Sequence, residues 1–337
     1  MTELREVFEM VTKHTEPDLD SWKDQEDRQR RSARIRKLGA LAVAAAIGAA
    51  AVALILGTRP EENPTIPVVE PPVVAPGSPF FLDLRTGEKT PLAENLAGGY
   101  AYVASPDGTR LAYNTEDVLT VASIDGTDAR SLQVPEGLSG YGPRWSPDGT
   151  KLVYQQNKGA VDPGDVGNLF VEDLSSGRRT QLTHLELGSA NWWFLSPSFS
   201  PDGRNVIFDM ARSSFDSKTR DVWSVPVSGG ESTLVLRNAS FPMYFPDGSE
   251  IAFVSPLPSP ALGGSSISIA DAQGTRRTLV EANIEIWAPQ MSPDGSRIAY
   301  QDGGSIYVVE VSTGKSSKVA DGNTAEWLDD DSLIVAP

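Results

Sequence analysis

The chain has 337 residues, with 45 acidic against 29 basic side chains and a net charge of -16, a balance opposite to that of nucleic-acid binders. It has no cysteine and only two histidines, His14 and His184, which excludes disulfide frameworks, thiolate chemistry and zinc-thiolate sites and leaves almost no material for imidazole catalysis.

Residues 1–37 carry nine acidic and nine basic side chains, with all the acids before Arg28 and six of the basic residues from Arg28 to Lys37. Leu4, Val7, Phe8 and Val11 recur at helical spacing, so Leu4 to Lys13 is predicted as a short amphipathic helix ending before Pro17. Such a helix is marginal alone in water, and it suits either a topogenic tail or a docking element for a cytosolic protein. Leu38 to Leu56 is nineteen residues without a charge, long enough to cross a bilayer. The basic cluster just before it places the N-terminus in the cytosol and the rest outside. From 57 to 78 the chain contains six prolines, an extended spacer of about 60 Å if polyproline-like.

After residue 79 one phrase keeps returning: Ser105 to Tyr113 (SPDGTRLAY), Ser146 to Tyr154, Ser200 to Phe208, Phe245 to Phe253 and Ser292 to Tyr300, with a worn copy at Leu328 to Val335. The anchoring Asp residues fall at 107, 148, 202, 247, 294 and 330. That interval belongs to propellers and solenoids. Pro presets a turn dihedral, Asp accepts backbone N–H groups just ahead and Gly supplies the left-handed conformation, so the phrase is a hairpin turn. An apolar strand ending in an aromatic follows it. A second strand, with Pro143, Pro197, Pro242 or Pro289 near its start and Trp145, Phe199, Tyr244, Met291 or Trp327 at its end, precedes it.

Two more strands around another glycine turn separate successive hairpins, giving four strands per repeat, A to D. Phe80 to Leu92 supplies a C and D pair without a hairpin, and Ala325 to Val335 an A and B pair with nothing after it. Joined, they close a ring of six four-stranded blades without a free sheet edge. The fold class expected is therefore an all-β, six-bladed β-propeller at 79–337, preceded by one transmembrane helix.

The recurring P-x-aromatic-S-P-D-G-x-x-aliphatic-A-aromatic pattern resembles the repeat of TolB-type β-propellers across residues 79–337. It departs at Ala104, at Phe245 in place of Ser, and in the sixth copy, which lacks Pro and Gly. The order of charged tail, Ala-rich span and external propeller is similar to membrane proteins of Gram-positive actinobacteria. These resemblances imply architecture rather than activity.

Long segments expected as loops, Gln155 to Gly167, Asp209 to Arg220, Ser255 to Ser265 and His184 to Leu195, all fall on the face opposite the PDG turns. That face is where binding is expected, with Trp192, Trp193, Phe194, Phe215, Asp162 and Asp165 as the candidate residues. Trp145, Phe199, Tyr244 and Trp327 repeat with the blades and read as core. Asp162, Asp165, Asp209, Asp216 and Asp221 carry oxygens of the kind Ca²⁺ takes, but no calcium-loop motif is present; no cofactor or metal is expected. Asn238-Ala-Ser240 fits a glycosylation sequon.

With no G-x-S-x-G elbow, and without the hydrolase domain that prolyl oligopeptidases append to similar propellers, the expectation is a non-catalytic binding module. Its partner would be an extracytoplasmic protein, peptide or envelope polymer, with the tail free to signal to a cytosolic protein. The alternative is a hydrolase or lyase that uses carboxylates in the central funnel on an envelope polymer.

Overall fold

A computed structural model of the chain describes residues 74–115, 118–132, 138–158, 167–185, 196–213, 216–257, 264–282 and 286–336. The expected tail helix, the span Leu38 to Leu56, most of the proline-rich spacer and the candidates Trp192, Trp193, Phe194, Phe215, Asp162 and Asp165 lie outside the described residues. Among the described residues no helix is long and apolar enough to cross a membrane.

The strands run in chain order. A pair comes first, β1 (Phe80–Asp83) and β2 (Lys89–Pro91). Blade 1 is β3 (Tyr100–Ala104), β4 (Arg110–Thr115), β5 (Val118–Ser123) and β6 (Arg130–Ser131). Blade 2 is β7 (Leu138–Trp145), β8 (Lys151–Lys158), β9 (Asn168–Asp173) and β10 (Arg179–Gln181). Blade 3 is β11 (Ser198–Phe199), β12 (Asn205–Ser213), β13 (Asp216–Pro226) and β14 (Thr233–Arg237). Blade 4 is β15 (Ser240–Tyr244), β16 (Glu250–Pro256), β17 (Ser265–Asp271) and β18 (Arg276–Ala282). Blade 5 is β19 (Trp287–Met291), β20 (Arg297–Asp302), β21 (Ser305–Glu310) and β22 (Ser316–Asp321). The last pair is β23 (Thr324–Asp329) and β24 (Ser332–Ala336).

These form six four-stranded antiparallel sheets, and the sixth has the order β2-β1-β24-β23. Both ends of the domain therefore build the closing blade, with Phe80 opposite Val335 and Leu82 opposite Leu333. The A strands β3, β7, β11, β15, β19 and β23 pack against one another in a ring around the central axis. The architecture is an all-β six-bladed propeller, as the repeat predicts.

The repeated phrase acts as its residue types require. In blade 2 the Gly149 N–H donates to the Ser146 carbonyl at 2.8 Å, and Gly149 sits at φ +68°. Asp148 Oδ1 accepts from the Ser146 hydroxyl at 2.6 Å and from the Thr150 N–H at 3.0 Å, while Ser146 Oγ accepts the Lys151 N–H at 2.9 Å. Burial works to raise the Asp148 carboxyl, but these hydrogen bonds outweigh it and hold the group below its ordinary range. In blade 4, where Phe245 replaces Ser, Asp247 keeps the Ser249 N–H at 3.0 Å, and the Phe245 ring joins the core between blades 4 and 5.

The core is a set of wedges between neighbouring blades. Val103, Ala112 and Leu119 of blade 1 pack on Trp145, Leu152 and Tyr154 of blade 2. Ala299 and Ile306 of blade 5 pack on Trp327 and Leu333 of the closing blade. Trp145, Phe199, Tyr244 and Trp327 are all buried, as expected of core anchors. The indole N–H groups reach backward to the preceding blade, Trp145 Nε1 to the Val103 carbonyl at 3.0 Å and Trp327 Nε1 to the Gln290 carbonyl at 2.9 Å. Arg110 stacks over the Trp145 ring at 4.6 Å and donates to the Gly149 carbonyl at 2.7 Å, tying the turn of blade 1 to the turn of blade 2.

One expected loop is sheet. Asp209 to Arg220 continues β12 and β13 outward, pairing Met210 with Asp221, Ala211 with Arg220 and, after a register shift, Ser213 with Asp216. Polar side chains on these strands hide the alternation on which strand recognition depends. The extension is held by Asp209 Oδ2, nearly fully buried, which accepts from Arg220 Nε at 2.5 Å, a diagonal cross-strand pair.

Candidate functional site: the central funnel

In four blades the innermost strand bulges at the same place. Ala101 and Tyr102 stand opposite Tyr113 alone, Gly142 and Pro143 opposite Tyr154, Phe241 and Pro242 opposite Phe253, and Ala288 and Pro289 opposite Tyr300. The first residue of each bulge is left-handed: Ala101 at φ 52°, Gly142 at 58°, Phe241 at 49° and Ala288 at 44°. Proline is tolerated at the second position because a bulge leaves that residue without a ladder partner. The motif's proline and its terminal aromatic thus face each other across one structural device. Three of the bulge residues are not glycine, and left-handed backbone there costs about 1–2 kcal/mol each; such strain gathers where a backbone is re-aimed for a purpose.

The bulges sit at the ends of the A strands away from the PDG turns. In blades 1, 2 and 5 the bulge residues Ala101, Gly142 and Ala288 are small, and they frame a cavity of about 120 Å³ on the central axis. Its polar walls are Arg144 from β7, Gln290 from β19 and Glu326 from β23; Tyr102, Ile334 and Ala336 add apolar surface. At the same mouth Tyr100 and Trp287 are each 41% exposed, and Trp287 meets Phe241 edge to face at 5.7 Å between ring centres.

Burial pushes the Glu326 carboxyl up to about 7, with the Arg144 guanidinium pulling only part of the way back. Glu326 therefore changes charge close to neutral pH. Arg144 donates one Nη1 hydrogen bond, at 2.8 Å, to the carbonyl of its own neighbour Pro143. The Tyr102 hydroxyl donates to the Leu96 carbonyl, and burial pushes it up to about 12, so it stays neutral. The cavity thus presents a fixed cation, a carboxyl poised between two states and an amide, below an aromatic rim. One carboxyl can exchange a proton with a bound molecule, and among the described residues Glu326 is the one carboxyl that lines this cavity. Among the described residues no group of three or more His, Asp or Glu side chains is placed to hold a metal ion.

Asp209 and Asp221 of the acidic set have other duties. Besides Arg220, Asp209 accepts the Ser196 N–H at 2.9 Å. Asp221 accepts the Asn238 N–H at 2.9 Å and lies 3.6 Å from Arg237. His184 is exposed just beyond β10, and Asn238 of the sequon is exposed.

The funnel residues went unread in the sequence although a signal for them exists. In the P-x-aromatic strand the aromatic enters the wedge, so x, the residue just before it, turns to the opposite face of the strand. That slot holds Val103, Arg144, Ser198, Met243, Gln290 and Glu326 in the six blades, and in blades 2, 5 and 6 it lines the cavity.

The fold is that of TolB-type six-bladed propellers. The structure is similar to that of putative TolB from Agrobacterium tumefaciens, with a TM-score of 0.59 and 19% identity, covering 77% of this chain and 96% of that one. It is also similar to an oligogalacturonate lyase in complex with manganese, with a TM-score of 0.55 and 21% identity, covering 77% and 82%. Both likenesses are of fold. In sequence the chain is 24% identical over 181 residues to an uncharacterized peptidase, YuxL, of Bacillus subtilis, covering 52% of this chain and 25% of the relative. It is 24% identical over 147 residues to dipeptidyl-peptidase 5 of Porphyromonas gingivalis, covering 42% and 19%. The chain spans about a quarter or less of the length of these curated relatives. No family model matches.

These findings correct the expectation that the chain is not an enzyme. That expectation came from a missing serine elbow, which speaks only against one nucleophile. The sequence relatives are named as peptidases and one structural neighbour is a lyase, so enzyme function is open to this chain.

Proposed function

We propose that this chain is a ligand-binding β-propeller held outside a membrane, with the central funnel as its site. The observation that carries the reading is the convergence of Arg144, Gln290 and Glu326, from three separate blades, on one cavity framed by left-handed bulges. Ligand sites favour concave, largely apolar clefts with a few convergent polar groups. Leu38 to Leu56 would be the anchor, with the Arg28 to Lys37 cluster inside. The partner would then be an extracytoplasmic protein, peptide or envelope polymer, and residues 1–37 could relay occupancy to a cytosolic protein. A crosslinking pulldown with the full chain tests the site: Arg144→Ala should lose captured partner while keeping the parent melting temperature. Equal capture by the variant would move the site elsewhere. Protease added to intact cells tests the orientation, since it should remove the propeller and spare residues 1–37.

One observation favours a second reading, catalysis in the same funnel. Glu326 changes charge near neutrality beside a cation, as a general acid or base requires, and the names of the sequence relatives point the same way. Arg144 would hold an anionic group while Glu326 exchanges a proton with the neighbouring atom. Turnover of peptide or acidic-oligosaccharide substrates that disappears in Glu326→Gln with binding retained would establish it; turnover unaffected by that change would remove it.

A further inference from the structure

We infer that the funnel takes a small zwitterion, with its carboxylate on the Arg144 guanidinium and its ammonium on the Glu326 carboxylate. This rests on the funnel being the binding site and names the chemistry of what enters.

The argument begins with two opposite charges that share a cavity without using each other. Arg144 and Glu326 line the same 120 Å³ space from blade 2 and the closing blade, close enough for the guanidinium to bias the carboxyl. Yet among the described residues they do not close into an ion pair. Arg144 spends Nη1 on the Pro143 carbonyl, which leaves Nε and Nη2 for a bidentate partner. Both side chains are half-buried, and drawing two charges partly out of water without letting them touch forfeits the Coulomb return that normally offsets desolvation. A molecule carrying a carboxylate and an ammonium a few ångströms apart would satisfy both walls at once.

Simpler ligands fit less well. A lone carboxylate would face ionised Glu326, and a lone ammonium would face Arg144. Among the described residues, the other groups that share the cavity with Arg144 and Glu326 are uncharged, including Gln290 from β19, Tyr102 from β3, and Ile334 and Ala336 from β24. Arg297 of β20 does not line the cavity and is turned toward the Trp327 ring and Asp331. Ala101, Ala288 and Ile334 offer room for a short aliphatic side chain, and a ligand of zero net charge is not repelled by a chain of net charge -16.

The test uses the free amino acid alanine, with propionate and ethylamine as its two halves, titrated calorimetrically into the full-length chain at pH 6 and pH 8. Since Glu326 must be ionised to accept the ammonium and titrates at about 7, alanine should bind roughly tenfold more tightly at pH 8 than at pH 6. Propionate and ethylamine should each bind at least tenfold more weakly than alanine at pH 8. Glu326→Gln should abolish the pH dependence and hold alanine at or below its pH 6 affinity while still melting in one cooperative transition, whereas Arg144→Met should lose binding at both pH values with an unchanged melting profile. Propionate binding as tightly as alanine, and more tightly at pH 6, would overturn the zwitterion in favour of an anion site with protonated Glu326. Ethylamine matching alanine would overturn it in favour of a cation site. If none of the three binds, the zwitterion is overturned, whereas a funnel occupied only by another ligand in the pulldown would leave the broader reading standing.

Discussion

Replacing Glu326 with Gln should stabilise the propeller, and by an amount that depends on pH in a calculable way. An unburied glutamate titrates near 4.5, and burial beside the funnel raises Glu326 to about 7. At about 1.36 kcal/mol per pH unit the difference is worth on the order of 3 kcal/mol, less whatever solvent in the funnel screens. The sign follows from linkage: the folded state holds this proton more tightly than the unfolded state, so the stability that Glu326 contributes is fully present below pH 4.5 and is lost as pH rises through 7. Gln keeps the shape and discards the titration. Urea unfolding of both proteins from pH 4 to pH 8.5 should therefore give curves that run together at the acid end. They should separate between pH 4.5 and 7 and stay apart by about 2–3 kcal/mol above pH 7, with the variant more stable. Parallel curves across the range, or a variant less stable at pH 8, would refute the claim that Glu326 is a half-buried carboxyl strained by its own charge.

Other perturbations test the frame around the funnel. Trp145→Ala empties a wedge between blades 1 and 2 and orphans the Val103 carbonyl, so it should cost about 3–5 kcal/mol in chemical denaturation. Ser146→Ala, which removes the acceptor of the Lys151 N–H and the donor to Asp148, should cost about 1–2 kcal/mol. Gly149→Ala places a side chain at φ +68° and should cost a similar 1–2 kcal/mol. Trp287→Ala, at an exposed rim position, should shift the melting temperature little while weakening partner capture in the crosslinking assay. Deleting Phe80 to Leu92 leaves β24 with one bare edge, and a variant that still melts cooperatively at the parent temperature would show that closure does not depend on that pair.

The blades were legible because the chain says the same thing six times. A turn that needs Pro, Asp and Gly in fixed order leaves a mark that survives even where Phe245 has displaced Ser, and counting marks gives blade number and closing partners together. The funnel was not legible for the converse reason. Its side chains occupy the one slot of the inner strand where the blades disagree, and a reading tuned to what repeats passes over Arg144, Gln290 and Glu326 as noise. The same habit treated length as the sign of function, so Asp209 to Arg220 was expected to be a loop. Its residues instead pair across β12 and β13, because Asp209 and Arg220 satisfy each other within the sheet. Trp192, Trp193, Phe194, Phe215, Asp162 and Asp165, chosen by that reasoning, lie outside the described residues. The left-handed Ala101, Phe241 and Ala288 could not be foreseen at all, since nothing in an alanine or phenylalanine announces a positive φ.

The closing blade sets a timetable for biosynthesis. β1 and β2 are the first strands of the propeller to leave the ribosome, but β24, the strand that covers the open edge of β1, follows β1 by roughly 250 residues. At translation speeds of about 5 to 20 residues per second, that edge stays bare for on the order of ten to fifty seconds. During that interval the nascent chain exposes unpaired N–H and carbonyl groups beside the apolar Phe80 and Leu82, the combination that recruits stray strands. A protein finished in this way is safest when its first strands are shielded until its last ones arrive, and it is most exposed to misassembly when translation stalls inside blade 5.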